Sequence, residues 1–237
     1  MGMIIFNDIP STDFDIYVGG QNSFGAPKRS VKKINVPGRN GDLAFDKGTF
    51  NNVNISYNIV GMRDFKDRIN DIKEWLMSPL SYARLEDSYN PDYYRMAMIT
   101  AGITFTMKRL NLYGKAKITF DCKPQRFLKS GEEVQEFEYA GHIINPTEFS
   151  SRPIITVYGA GAGSVTIGDQ EIEISNIDDY TVIDCDMQDC YNANGNRNSY
   201  VSRGQYGEFP KIPGGESEIS FDGGVEKVEI QGNWWTL

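Results

Sequence analysis

Residues 115–127 constrain this chain more than any other stretch. Ala116, Ile118, Phe120 and Cys122 alternate with Lys115, Lys117, Thr119, Asp121 and Lys123. A period of two places one set on one side of a strand and the second set on the other. The chain must therefore build a sheet with one buried face here. Pro124 has no N–H to give to a ladder, so the strand is predicted to stop there. The text before it reads as a β-rich unit with a single helix, and the text after it as an all-β unit. The strand is expected to close one domain and launch the next.

Similar alternation predicts short strands at 3–6, 14–18, 31–36, 53–59, 82–85, 93–100 and 102–107. The helix is predicted at 64–77: Phe65, Ile69, Ile72 and Leu76 recur at helical spacing, with Trp75 at the border. Asp64 is expected to cap it, Ser78-Pro79 to end it, and Lys66, Arg68, Asp71 and Glu74 to form its solvated side. Pro37-Gly38 and Asn40-Gly41 predict tight turns, and residues 46–51 add turn chemistry. A boundary is expected between 127 and 133, giving domains 1–130 and 131–237. In the second, strands are predicted at 153–158, 165–167, 171–174, 180–185, 218–221 and 225–230. Gly168-Asp169 is a good two-residue hairpin turn, and the glycines at 159–163 and 223–224 also read as turns. Short strands at regular spacing describe a β-sandwich.

The formal net charge of −8 argues against a general nucleic-acid binder, which needs a basic face to neutralise phosphates. Cys122 lies on the apolar side of its strand and is expected to pack as a small hydrophobe. Whether Cys185 and Cys190 pair is open from sequence. The first residues lack a basic region followed by an apolar run, so no signal peptide is expected. No apolar run approaches the ~18 residues of a membrane span. These features together predict assembly in a cytoplasm.

Signatures of chemistry are weak. Gly159-Ala160-Gly161-Ala162-Gly163 follows a strand but leads into another strand, so no helix N-terminus is there to receive a phosphate. Asp184, Asp186, Asp189, Asn192, Asn194 and Asn196 supply hard oxygen ligands. Aligning Gly195 with the glycine of a calcium loop nevertheless puts Cys190 and Val201 where acids belong, leaving an irregular calcium site or a solvated loop. A catalytic triad would have to use His142, the single histidine, whose neighbours read as a strand edge. No catalytic, cofactor or metal residues are assigned, and the chain is read as a non-enzyme. Trp234 and Trp235 are candidates for stacking on a sugar, the alternative being that one anchors the core and the other caps an edge.

Four places together carry a family resemblance: residues 36–43 (Val-Pro-Gly-Arg-Asn-Gly-Asp-Leu), 120–124 (Phe-Asp-Cys-Lys-Pro), 152–159 (Arg-Pro-Ile-Ile-Thr-Val-Tyr-Gly), and 209–214 followed by 228–230 and Trp234-Trp235. Their order and spacing resemble the distal tail proteins of long, non-contractile-tailed bacteriophages or prophages. The resemblance implies a mainly β protein: an N-terminal tail-tube-like β-sandwich domain with one helix, then a galectin-like β-sandwich. It implies a homohexameric ring, a virion hub at the tail tip, joining the tail tube protein to the tail-tip spike or fibre protein (the tail-associated lysin). Receptor-binding proteins are further implied partners. No cofactor, membrane or specific nucleic acid is implied. Asn40 stands where that family often has Asp. Arg39, Asn40, Asp42, Leu43, Phe45 and Phe50 are expected to reach a neighbouring subunit. A carbohydrate-binding role of the C-terminal domain through Trp234 or Trp235 is the alternative.

Overall fold

The alternation at 115–123 lies inside a longer strand. In a computed structural model, residues 2–21, 25–62, 64–108, 112–202, 204 and 207–237 are described, with backbone alone at 20 and 21. The chain divides into two compact units, Met1–Arg126 with Leu237, and Phe127–Thr236. The fold is mainly β, with curled sheets and a single α-helix among the described residues.

Unit 1 carries β1 (Ile4–Phe6), β2 (Ile9–Pro10), β3 (Ile16–Gln21), β4 (Arg29–Ile34), β5 (Leu43–Phe50) and β6 (Val53–Gly61). Helix α1 (Phe65–Met77), β7 (Ala83–Asp87), β8 (Tyr93–Met98), β9 (Phe105–Lys108) and β10 (Tyr113–Leu128) follow. Its sheet runs β2-β1-β7-β8-β10-β6-β3, and β9 also pairs with β10. Gly2 and Val18 exchange backbone hydrogen bonds of 3.2 and 2.8 Å. That bridge ties the residues before β1 to β3 at the opposite end, so the sheet curls back on itself.

Inside the curl, Ile55, Tyr57 and Ile59 of β6 and Ile118, Phe120 and Cys122 of β10 are buried, as the period of two requires. Helix α1 adds Phe65, Ile72, Trp75 and Leu76, and Trp75 Nε1 donates to the Phe6 carbonyl at 3.0 Å. The Phe65 ring occupies a notch: Gly61 and Gly114 face each other in register. A side-chain carbon on either would fall 1.8 or 2.3 Å from that ring.

Several expectations are corrected here. Pro124 does not end β10, which runs on to Leu128. The reason is that β6 accompanies β10 only as far as Cys122↔Val53, so a proline beyond that point takes no bond from the β6 ladder. Asp64 sits before α1 in a left-handed conformation (φ 43°) and its side chain makes no cap. Capping needs an extended residue whose carboxylate turns back to the first N–H groups. Arg68 is not a solvated charge but forms an ion pair with Asp15. Residues 46–50 belong to β5 rather than to a turn.

Unit 2 carries β11 (Val134–Phe137), β12 (Gly141–Asn145), β13 (Ile154–Ile167), β14 (Gln170–Asp184), β15 (Asp189–Asn192), β16 (Gly215–Gln231) and β17 (Trp235–Thr236). Its sheet runs β11-β16-β13-β14-β15, with β12 also on β16, while β17 pairs with the end of β10. Ile155, Val157, Val165, Ile167, Ile172, Ile183, Val228 and Ile230 fill its core.

The glycines at 159–163 and 223–224 are corrected from turns to a seam within continuous strands. β13 shifts register against β14 and β16 between Gly159 and Gly163. A side-chain carbon at Gly159 would lie 2.0 Å from the Gly224 carbonyl oxygen, and one at Gly224 1.9 Å from that of Ala160. Backbone packs on backbone here, which bends three long strands together. The Gly168-Asp169 hairpin forms as read, with Gly168 at φ 61°.

Candidate functional site

The hairpin of β4 and β5 stands apart from both large sheets as a two-stranded sheet of its own. Ile34 pairs with Leu43 and Lys32 with Phe45, so these side chains share one side; Val31, Lys33, Ala44 and Asp46 share the other. Ile34 is 41% exposed, Leu43 46% and Phe45 61%, and no residue of the hairpin joins either core. An isolated two-stranded hairpin is marginal in water, and this one carries an uncovered apolar side. It is an arm whose surface is incomplete.

At the root, Arg29 pairs with Asp46 at 2.8 Å and lies 5.1 Å from the centroid of the Phe50 ring. That hydrogen bond from Arg29 holds the Asp46 carboxyl below its usual value, helped by the Gly48 N–H. Of the residues expected at a subunit contact, Leu43 and Phe45 lie on the apolar side. Arg39, Asn40 and Asp42 lie in the exposed turn, where Gly38 and Gly41 take φ of 82° and 79°. Phe50 is at the root and half-buried. Sequence reasoning missed Ile34: Lys32 shares its side and Lys33 lies on the other, so no period of two marks it.

A groove of about 730 Å³ lies in unit 2. Ser164 on β13 stands between Glu173 on β14 and Asp222 on β16, one row across three strands. The Ile174–Val201 bridge sets a further segment beside β14. There Ser175 N–H donates to the Tyr200 carbonyl at 2.8 Å, and Glu173 N–H donates to Ser202 Oγ at 2.9 Å. Tyr200, 57% exposed, flanks a floor of serines and carboxylates.

The two tryptophans, candidates for stacking on a sugar or else for a core anchor and an edge cap, sit in different settings. Trp234 is 2% exposed and belongs to the core. Trp235 stacks on Phe149 (4.5 Å between centroids, 24°) and donates from Nε1 to the Ser150 carbonyl at 3.0 Å. Cys122, Cys185 and Cys190 are buried and form no disulfide with one another. Burial pushes the Cys122 thiol up to about 12 and raises Cys185 as well.

Among the described residues no group of three or more His, Cys, Asp or Glu side chains is placed to hold a metal. In the asparagine loop, Asn192 Oδ1 accepts from the N–H groups of Asn194 and Asn196, and Asp189 pairs with Arg197 at 2.8 Å. Among the described residues no helix is long and apolar enough to cross a membrane.

The sequence matches no protein-family model and no curated protein. Solved structures do match. The SPP1 Dit protein, described as a paradigm of the hub adsorption apparatus in Gram-positive-infecting phages, superposes with a TM-score of 0.79 at 11% identity, covering 100% of both chains. This is the fold of a phage hub protein. Chains of the phage P2 baseplate in its activated conformation share the hub fold less closely. The calcium form gives a TM-score of 0.56 at 11% identity over 97% of each chain, and the strontium form 0.51 at 12% over 99%.

Proposed function

We propose that this protein is a structural hub at the distal end of a phage tail, a homohexameric ring rather than an enzyme. The ring joins the tail tube protein to the tail-tip spike or fibre protein and serves as an anchor for host-recognition parts. The end-to-end match to the SPP1 Dit hub carries this reading. The exposed β4–β5 arm supports it, because a closed ring repeats one heterologous contact and needs an element that reaches out of each subunit. Light scattering on the purified chain tests the reading. Six copies are expected, and a monomer at high concentration overturns the ring.

A second reading is favoured by the groove beside Tyr200. An exposed aromatic ring next to Ser164, Glu173 and Asp222 offers stacking and hydroxyl-accepting groups for a neutral saccharide. Glycan-array binding by the full chain, lost in Tyr200→Ala, favours it; binding unchanged in Tyr200→Ala, or none, removes it.

A further inference from the structure

A polar pocket of unit 1 holds more positive charge than it balances. Asp87, at the end of β7, is fully engaged. It accepts from Tyr57 Oη at 2.7 Å, from the N–H groups of Tyr89 and Asn90 at 2.9 Å each, and from Asn90 Nδ2 at 3.0 Å. Two guanidiniums line the same pocket, Arg95 from β8 and Arg126 from β10. Arg95 donates to the Pro124 carbonyl at 3.3 Å. Arg126 lies 4.3 Å from the centroid of the Tyr93 ring. Its Nε is buried and has no hydrogen-bond partner. Among the described residues neither arginine is in an ion pair. Burial, and the neighbouring charge of Arg126, push Arg95 below its usual pKa. An unpaired donor out of water is costly, and more so when charged. Two guanidiniums facing one carboxylate also repel at short range.

We propose that this pocket binds a small monoanion, a halide or the head of a carboxylate, held at Arg126 Nε–H between the two guanidiniums. The pocket is small, about 30 Å³, which suits a compact anion. A water molecule would satisfy the N–H and leave the charge excess in place; a monoanion answers both. The carboxylate can come free from solution or from an acidic side chain of a second copy of this chain.

Crystals of the full chain soaked in sodium bromide, recorded at the bromine edge, test the site. An anomalous peak within hydrogen-bonding reach of Arg126 Nε supports a free anion. A carboxylate of a neighbouring copy at that position supports the same site filled by a partner. Water alone overturns the proposal. In solution, replacing gluconate by chloride or formate at constant ionic strength is expected to raise the Tm of the wild type saturably, by about 4 °C. Arg126→Gln is expected to show no such rise. If Arg126→Gln does not fold, Arg126→Lys keeps the charge without the Nε–H fork and is expected to lose the response too. Equal responses in wild type and variant overturn a free-anion site.

Discussion

Gly224 and Gly168 separate two uses of the same residue. Gly168 sits at a hairpin tip with open space around it, so Gly168→Ala should cost only the left-handed backbone, about 1–2 kcal/mol. Gly224 is pressed on the Ala160 carbonyl, so Gly224→Ala forces strands apart and should cost roughly 3 kcal/mol or more. Denaturant unfolding of the two variants checks the order. The hairpin glycine was legible in sequence because Gly-Asp between alternating runs is a local signal. The seam was not, since close approach of β13 to β16 is set by residues as far apart in sequence as Gly159 and Val225. The thiols give a second expectation. Cys122 ionises near 9.0 when unfolded and at about 12 when folded. A raised pKa keeps its full stabilising contribution below pH 9 and loses it as the pH climbs toward 12. Stability should therefore fall by up to about 1.4 kcal/mol per pH unit for this thiol across that window. Native protein at pH 8 should show no reactive thiol, and denatured protein three.

Elements differ in how openly they are written. The core sides of β6 and β10 and the apolar stripe of α1 follow from periodicity alone, and Ile55, Ile59, Ile118 and Leu76 lie where the pattern puts them. Bounds were less legible. Pro124 looked like a stop because the sequence does not say where β6 leaves the side of β10. The arm shows a different problem: the strand at 31–36 is legible, residues 46–50 read as turn chemistry, and neither pattern says that both sides are left uncovered. Phe45→Asp tests what covers it. The substitution touches neither core, so the stability of the dissociated subunit should change by no more than about 0.5 kcal/mol. If the proposed ring closes through the arm, the mass by light scattering should fall from six copies toward one. A hexamer that survives Phe45→Asp would place the subunit contact elsewhere.

For the whole molecule, each unit owns a separate hydrophobic core. Calorimetry should resolve two transitions. Ile118→Ala should lower one of them and Ile155→Ala the other, each by about 2–5 kcal/mol, because both side chains are fully buried. A single transition shifted equally by both substitutions would show that the units melt together. The strand that each unit is built around is also among its last in chain order. β10 lies between β8 and β6 and also holds β9, while β16 joins β11, β12 and β13. During synthesis, the earlier strands of each unit thus leave the ribosome with unpaired edges and wait for a partner that comes late. For unit 2 the wait lasts until residues 215–231 have been made. A chain interrupted before that point would carry a foldable first unit and a second with no centre, a substrate for proteases rather than a subunit for assembly.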